Sequence, residues 1–475
     1  MRLLRAGFFL LVFPIVFSAR AQETGRTDSA GSQLPDKNMQ VMIGGIHLSG
    51  NKRTRDFIVT REVSLVKGQL LSAAQLQEEL VRSHDQLMNT LLFVDVHIYI
   101  DAIKGNVVDI NVDLKERWYF FPIPYFRLVD RNFNQWLVEQ KASFDRVNYG
   151  LKFTQQNTTG RNDELNIWLI TGYTKQFTIR YGLPFFDRGL HHGFTIGFSS
   201  ASQKEVNYAT LSNKQQFFKQ DNDYSRKTTK AELIYSYRPD VRNRHYFKVS
   251  YNDERIADTV AVINPVYYPD RKTHIRFWDF TYQYRFLNVD YIAYPTKGFL
   301  FDGSLYKRGT TSEYNLWQAN LRAVYALPVS QKSFLHVEAL ATAKLRANGY
   351  FYNQRLIGYG FYQLRGLEYN VVDGVAGAAL KTSFNRQVFS FILKNPFKSK
   401  THDRIPIRFF LKAYGDLGYA YTRNPNGTNT LNNTLLRTYG FGMDIVSIYD
   451  FVLKIEYSFN QLGRDGLYLQ TRNNF

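Results

Sequence analysis

From residue 118 to the C-terminus, apolar and polar residues alternate one for one, in run after run. Trp278, Phe280, Tyr282, Tyr284 and Phe286 alternate with Asp279, Thr281, Gln283 and Arg285. Phe451, Leu453, Ile455, Tyr457 and Phe459 share one parity, and Lys454, Glu456 and Ser458 the other. A period of two is that of a β-strand with one apolar face. Sixteen such runs lie near 145–156, 162–173, 176–182, 191–202, 203–218, 227–239, 244–257, 274–288, 297–309, 313–326, 331–346, 374–391, 405–421, 436–447, 449–460 and 466–474. A soluble sandwich also alternates, but so many long runs with an aromatic face, in a chain of 33 Tyr and 38 Phe, predict a membrane barrel. No stretch beyond the N-terminus holds enough continuous apolar residues for a membrane helix, and a chain without such helices spans only as a closed barrel. Connectors near 213–226, 258–273, 347–374 and 422–435 are long, and those near 173–175, 240–243, 327–330 and 447–449 are short. Residues 118–475 are therefore predicted to be a sixteen-stranded antiparallel transmembrane β-barrel.

The first 117 residues are different. Arg2 and Arg5, the apolar run AGFFLLVFPIVF and Ala19-Arg20-Ala21 form a secretory signal over 1–21. Residues 22–40 are polar and predict a flexible linker. Residues 41–117 predict a small α/β module. Val41–Leu48 is strand-like, Arg53–Val63 a short helix, and Ser72 with Gln75 three residues on opens a second helix, close to a capping box. Phe93–Ile100 and Val107–Leu114 form a hairpin around Lys104-Gly105-Asn106, giving the order β-α-α-β-β.

Cysteine is absent, which removes disulfides, thiol catalysis and Cys-based zinc sites. No phosphate loop, nucleophile elbow or HExxH motif occurs, so no enzymatic activity is expected, and no metal or other cofactor. His191-His192 has no companion at metal-ligand spacing. The net charge of +19 is spread along the chain rather than gathered in a patch, which argues for an anionic membrane surface or a polar lumen and against nucleic acid.

The module at 41–117 resembles the POTRA domain of outer-membrane assembly proteins, in its strand-Gly-Asn start, its helix pair and its closing Glu116-Arg117. Leu364-Arg365-Gly366-Leu367, between the eleventh and twelfth runs, resembles the apolar-Arg-Gly-aromatic motif of the sixth external loop in the outer-membrane insertase superfamily (BamA, TamA and relatives). Tyr294-Pro295-Thr296-Lys297-Gly298, Gly182-Leu183-Pro184-Phe185-Phe186 and the terminal Phe475 resemble further elements of that superfamily. The resemblance implies that the loop folds into the lumen, where its arginine pairs with acids on the next two strands. Those positions fall at Asn385, where the usual glutamate is missing, and at Asp416, which the alternation of its strand places inward. Arg365–Asp416 is thus the expected lock, with Asn385 a neutral hydrogen-bond partner.

The resemblance further implies a cell outer-membrane location with the POTRA domain in the periplasm. Its function would be insertion or export of β-rich clients through a weak seam between first and last strands. The last strand, with Leu467, Tyr468, Leu469 and Phe475, is short and polar and follows Gly463 and Gly466. Partners would be unfolded outer-membrane or secreted proteins, outer-membrane lipid and accessory periplasmic or lipoprotein subunits. The alternatives are a dedicated secretion pore for one exported partner and a passive outer-membrane channel.

Overall fold

The computed structural model describes residues 39–472, apart from 129–140, 142, 221–222, 312–313, 347–348, 360–362, 395–403 and 426. The expected signal, nearly all of the linker and Phe475 lie outside the described residues.

The N-terminal module runs β1 (Gln40–Ser49), α1 (Asp56–Glu62), β2 (Leu70–Ser72), α2 (Ala73–Met88), β3 (Phe93–Lys104) and β4 (Val107–Glu116). Its sheet order is β2-β1-β4-β3, with β1 and β4 parallel. The capping box forms: Gln75 N donates to Ser72 Oγ at 3.2 Å, and Ser72 N to Gln75 Oε1 at 2.9 Å. Leu76, Leu80 and Leu87 then bury one face of α2 against Val41, Ile43, Ile110 and Val112.

Sixteen strands follow in one antiparallel sheet. They are β5 (Phe120–Leu128), β6 (Val147–Gln156), β7 (Glu164–Gly172), β8 (Thr174–Leu183) and β9 (His192–Gln203). A separate hairpin, β10 (Glu205–Leu211) and β11 (Lys214–Lys219), interrupts the series. The sheet resumes with β12 (Arg226–Tyr237) and β13 (Asn243–Ile256). After α3 (Asp258–Ile263) come β14 (His274–Val289), β15 (Gly298–Arg308), β16 (Leu316–Ser330) and β17 (Ser333–Leu345). A long loop carries α4 (Phe351–Gln354) and the short pair β18 (Arg355–Ile357) and β19 (Val372–Asp373). The sheet ends with β20 (Ala376–Lys394), β21 (Arg404–Tyr421), β22 (Leu436–Val446), β23 (Val452–Asn460) and β24 (Asp465–Arg472).

The sequence-predicted total of sixteen holds, but two of its members change. The first strand is Phe120–Leu128, which the alternation reading passed over because Pro122 and Pro124 interrupt it. The run at 203–218 is not a barrel strand. It folds back on itself at Ser212 and Asn213, both in the left-handed region (φ 51° and 59°). The connector at Tyr173 therefore joins third to fourth strand and lies on the rim opposite to the other short connectors near 240–243, 327–330 and 447–449. From β12 onward the ordinal of each strand is as predicted.

Outward positions are apolar and exposed, among them Phe247, Trp278, Phe280, Leu321 and Phe441. Inward positions such as Asp416, Asp444, Glu456 and Ser458 are polar and at most 2 % exposed. The sheet curls far enough that the Phe121 ring in β5 meets Tyr449, in the turn between β22 and β23, edge-on at 5.5 Å.

The module grips one rim of this barrel. Glu62 takes both Arg238 guanidinium nitrogens, at 2.6 and 2.7 Å. Arg117 pairs with Asp450 at 2.9 Å, and Tyr291 OH donates to the same carboxylate. Asn89 donates to the carbonyls of Val289 and Asp290, both at 3.2 Å. Arg55 N bonds Gly160 O, Arg61 Nε bonds Leu190 O, and Phe185 enters the module's own core. All five turns touched join an even strand to the following odd one. The loop at 346–375, joining eleventh to twelfth, therefore leaves from the far rim.

Candidate functional site

That loop turns inward. Leu364 and Leu367, 2 % and 3 % exposed, pack among Leu340, Ala379, Ala420 and Leu436 of the wall. Gly418 makes room for Leu364, since a Cβ there would stand 2.4 Å from Leu364 Cδ1. Burial of these leucines fixes where the next residue must go.

Arg365 reaches the thirteenth strand, β21. Its Nε donates to Asp416 Oδ2 at 2.9 Å, an Nη donates to Oδ1, and its backbone N–H reaches Oδ2 at 3.2 Å. Asp416 is 1 % exposed and Arg365 9 %. The guanidinium also lies over the Tyr414 ring, 4.0 Å from its centroid. A planar fork with ring and carboxylate at right places is a role for arginine that lysine does not fill. Gly366 follows with φ 81°, and a Cβ on it would come within 2.9 Å of Ser458. Its carbonyl accepts Asn460 Nδ2 at 2.7 Å.

Asn385 does not join this pair. It is 2 % exposed, but its amide donates to the carbonyl and hydroxyl of Ser383 at 3.3 and 3.1 Å. The second acid beside Arg365 is Glu456 of β23, at 3.9 Å. Glu456 is shared with Lys412 at 2.6 Å, and Lys412 also pairs with Asp444. Asp444 in turn accepts Tyr294 OH at 2.9 Å. A continuous chain of ion pairs, closed by one hydrogen bond, thus runs from the lumen loop to the Tyr294-Pro295 turn at the module's rim. In the sequence Glu456 is marked only by its place on the polar parity of its run. The cue was its parity with Ser458, opposite the loop's landing strand by two ladders.

Two further features hold the loop. Lys344 Nζ donates to the carbonyls of Asn353, Arg355 and Gly374, tying both legs of the loop to the eleventh strand. Asn213, at the tip of the β10–β11 hairpin, accepts from Val371 N at 2.9 Å and from Leu431 N at 3.0 Å, and donates to Asn429 and Thr430. The loop also touches the last strand: Gln470 donates to Glu368 at 3.3 Å and Tyr468 stands 5.9 Å from Tyr369. Leu467 and Leu469 of that strand point outward, 63 % and 67 % exposed.

The two edges of the sheet are β24 and β5, and among the described residues no ladder joins them. On β5 the reason is visible. Gln156 N bonds Tyr119 O, and the register pairs Phe121 with Thr154 and Ile123 with Lys152. Odd positions therefore bond to β6, and even positions face the free edge. Pro122 and Pro124 are even, so two of that edge's donors do not exist.

Among the described residues no group of three metal-ligating side chains occurs.

Residues 41–117 match the family model of the POTRA, described as "Surface antigen variable number repeat". No curated protein sequence is recognisably similar to the chain. Among solved structures, BamA from Haemophilus ducreyi lacking POTRA domains 1–3 superposes with a TM-score of 0.49 at 16 % identity, covering 91 % of this chain and 84 % of that one. CdiB from Escherichia coli gives 0.47 at 11 %, covering 94 % and 92 %. CdiB from Acinetobacter baumannii gives 0.45 at 14 %, covering 91 % and 73 %.

Proposed function

We propose that this POTRA-bearing barrel resides in the outer membrane, with the POTRA domain in the periplasm, and passes β-rich polypeptides into or across that membrane through the seam between β5 and β24. The observation that carries the reading is the edge of β5, to which no strand is joined among the described residues and whose closure onto β24 is weakened by Pro122 and Pro124. An unpaired edge offers backbone groups to an incoming strand, which is how extended chains add to sheets. The lumen loop supports it: pinned by Arg365 to Asp416 and touching β24 through Glu368 and Tyr369, it holds the last strand from inside. The module clasps the opposite rim, where a client from the periplasm would arrive. The work needs no bond-making chemistry. Lipid beside the seam and accessory periplasmic or lipoprotein subunits are the remaining partners of this reading.

The chain's lack of cysteine makes the test clean. Single cysteines across 120–128 are combined with single cysteines across 465–472, and the pairs that cross-link are used to staple the seam. Stapling is expected to stop assembly of outer-membrane proteins in reconstituted vesicles and in cells, and reduction to restore it. Unchanged assembly with a fully stapled seam would overturn the reading. Normal levels of many barrel proteins after depletion, with loss of one exported protein, would move the function to a dedicated secretion pore.

A further inference from the structure

The lumen wall is not uniform. On the side of β16 to β23, carboxylates are numerous: Asp416 takes Arg365, Asp444 and Glu456 take Lys412, and Glu338 takes both Arg322 and Lys381. The side formed by β6 to β13 is different. Glu232 alone serves Arg180 at 3.5 Å, Lys230 at 3.3 Å and Lys248 at 2.9 Å. Lys152 rests over the rings of Tyr125 and Trp168, at 4.6 and 4.3 Å, with no carboxylate against it among the described residues. Nearer the module, Arg244 stands directly across the ladder from Arg285, and its Nε is buried without a partner. Asp302, across the next ladder, pairs with Arg285 at 2.8 Å, and Asp279 is taken by Asn252 and Tyr306, so neither carboxylate is spare. Water reaches these cations: the Arg180 and Lys230 side chains are 47 % and 35 % exposed, although they face inward.

Register orders them. Lys152 pairs with Trp168, Trp168 with Thr178, Thr178 with Ser199 and Ser199 with Lys230, so the two lysines share one cross-strand row. Four strand spacings put their backbones about 19 Å apart. Arg180 and Glu232 lie in the next row, both beside Gly197, where the missing side chain keeps the wall open. A band of ammonium and guanidinium groups thus crosses an accessible wall with too little negative charge to neutralise it. The three cations gathered on Glu232 stand close enough to repel one another, and an anionic ligand relieves that repulsion.

We propose that this band, centred on Lys152, Arg180, Lys230 and Lys248, binds a carboxylate-rich segment of an extended polypeptide inside the lumen. The 19 Å row matches roughly six extended residues, a length over which alternate side chains meet the wall on one face. Lysines predominate, and as point charges they attract carboxylate and phosphate alike, so it is the length of the row and the transporter reading that make an extended acidic polypeptide the occupant. The inference rests on the transporter reading, since it names the class of client segment that the lumen takes.

The test uses the full chain in lipid nanodiscs and fluorescein-labelled decaglutamate, followed by anisotropy, with decaglutamine, triglutamate and inorganic polyphosphate as further probes. Decaglutamate is expected to bind, to weaken as salt is raised, and to lose about tenfold or more in affinity in the Lys152→Gln/Lys230→Gln/Lys248→Gln variant. Lys152→Gln alone, which breaks no ion pair, guards against a folding defect and is expected to weaken binding in the same direction. Equal binding of decaglutamine, unchanged affinity in both variants, or no binding at all would overturn the proposal. So would polyphosphate binding tighter than decaglutamate. Assembly of a client without acidic segments is measured in parallel: if it persists in the triple variant, a failure here leaves the seam reading standing, and if stapling fails to stop it, the seam reading falls by itself.

Discussion

Arg365 holds Asp416 through two side-chain nitrogens and its own backbone N–H, so the loop and the thirteenth strand are joined by one residue in two independent ways. Removing either partner leaves a buried charge uncompensated, which costs about 3–5 kcal/mol. Arg365→Ala and Asp416→Ala are each expected to lower the urea midpoint of barrel unfolding and to expose the loop to protease. The double variant should lose less than the summed losses, with a coupling of about 0.5–3 kcal/mol. Additive losses would separate the two residues. Arg365→Lys, which keeps the charge and loses the fork, should fall between the wild type and Arg365→Ala.

Restoring donors to the free edge of β5 should strengthen the seam. Pro122→Thr/Pro124→Thr is expected to raise the unfolding temperature of the barrel and to slow client assembly together. Cross-linking between 120–128 and 465–472 should then give fewer registers in higher yield. A faster assembly rate in this variant would contradict the seam mechanism.

The fork between Glu62 and Arg238 ties the module to the β12–β13 turn, with both side chains largely buried. Glu62→Gln or Arg238→Ala is expected to loosen the module without unfolding the barrel. Proteolysis at 117–119 should quicken several-fold, while the barrel's resistance to unfolding in detergent stays unchanged. The Arg117–Asp450 pair, 333 residues apart in sequence, supplies a second anchor and limits the effect.

Glu368 gives the loop a pH dependence. Burial, with Glu456 adding negative charge nearby, pushes its carboxyl from 4.5 up to about 7. A carboxyl raised in the folded state favours the protonated form there, so its stabilising contribution is full below about pH 4.5 and is lost as pH rises through 7. Contact between the loop and β24 should be firmer at pH 6 than at pH 8, read as hydrogen exchange across 465–472. Glu368→Gln should abolish the difference; persistence of the difference in that variant would assign it to another group.

Parity made much of this legible. Alternation along 405–421 places Asp416 inward, and Glu456 shares the polar parity of its strand with Lys454 and Ser458. Parity does not say which inward residues meet across the lumen, because that depends on curvature and on where a loop lands. Glu456, Lys412 and Asp444 became a chain only in three dimensions, and Asn385 turned to Ser383 instead of Arg365. The strand total came from two errors that cancelled. Pro122 and Pro124 hid a real strand because a proline at an edge looks the same in sequence as a proline in a loop. Residues 203–218 kept their alternation through a turn, since Ser212 and Asn213 reverse the chain without glycine or proline to mark it. The cationic wall was invisible because its members come from four strands spread over 97 positions, from 152 to 248.

The prolines of β5 bear on lipid as well as on pairing. A strand edge open to hydrocarbon leaves each N–H unsolvated, at several kcal/mol apiece. Pro122 and Pro124 have no N–H to leave. An opened barrel would therefore strand fewer polar groups in the bilayer at this point than any other residue pair would allow. The same two side chains that deny the seam its ladder make its absence tolerable to the membrane around it.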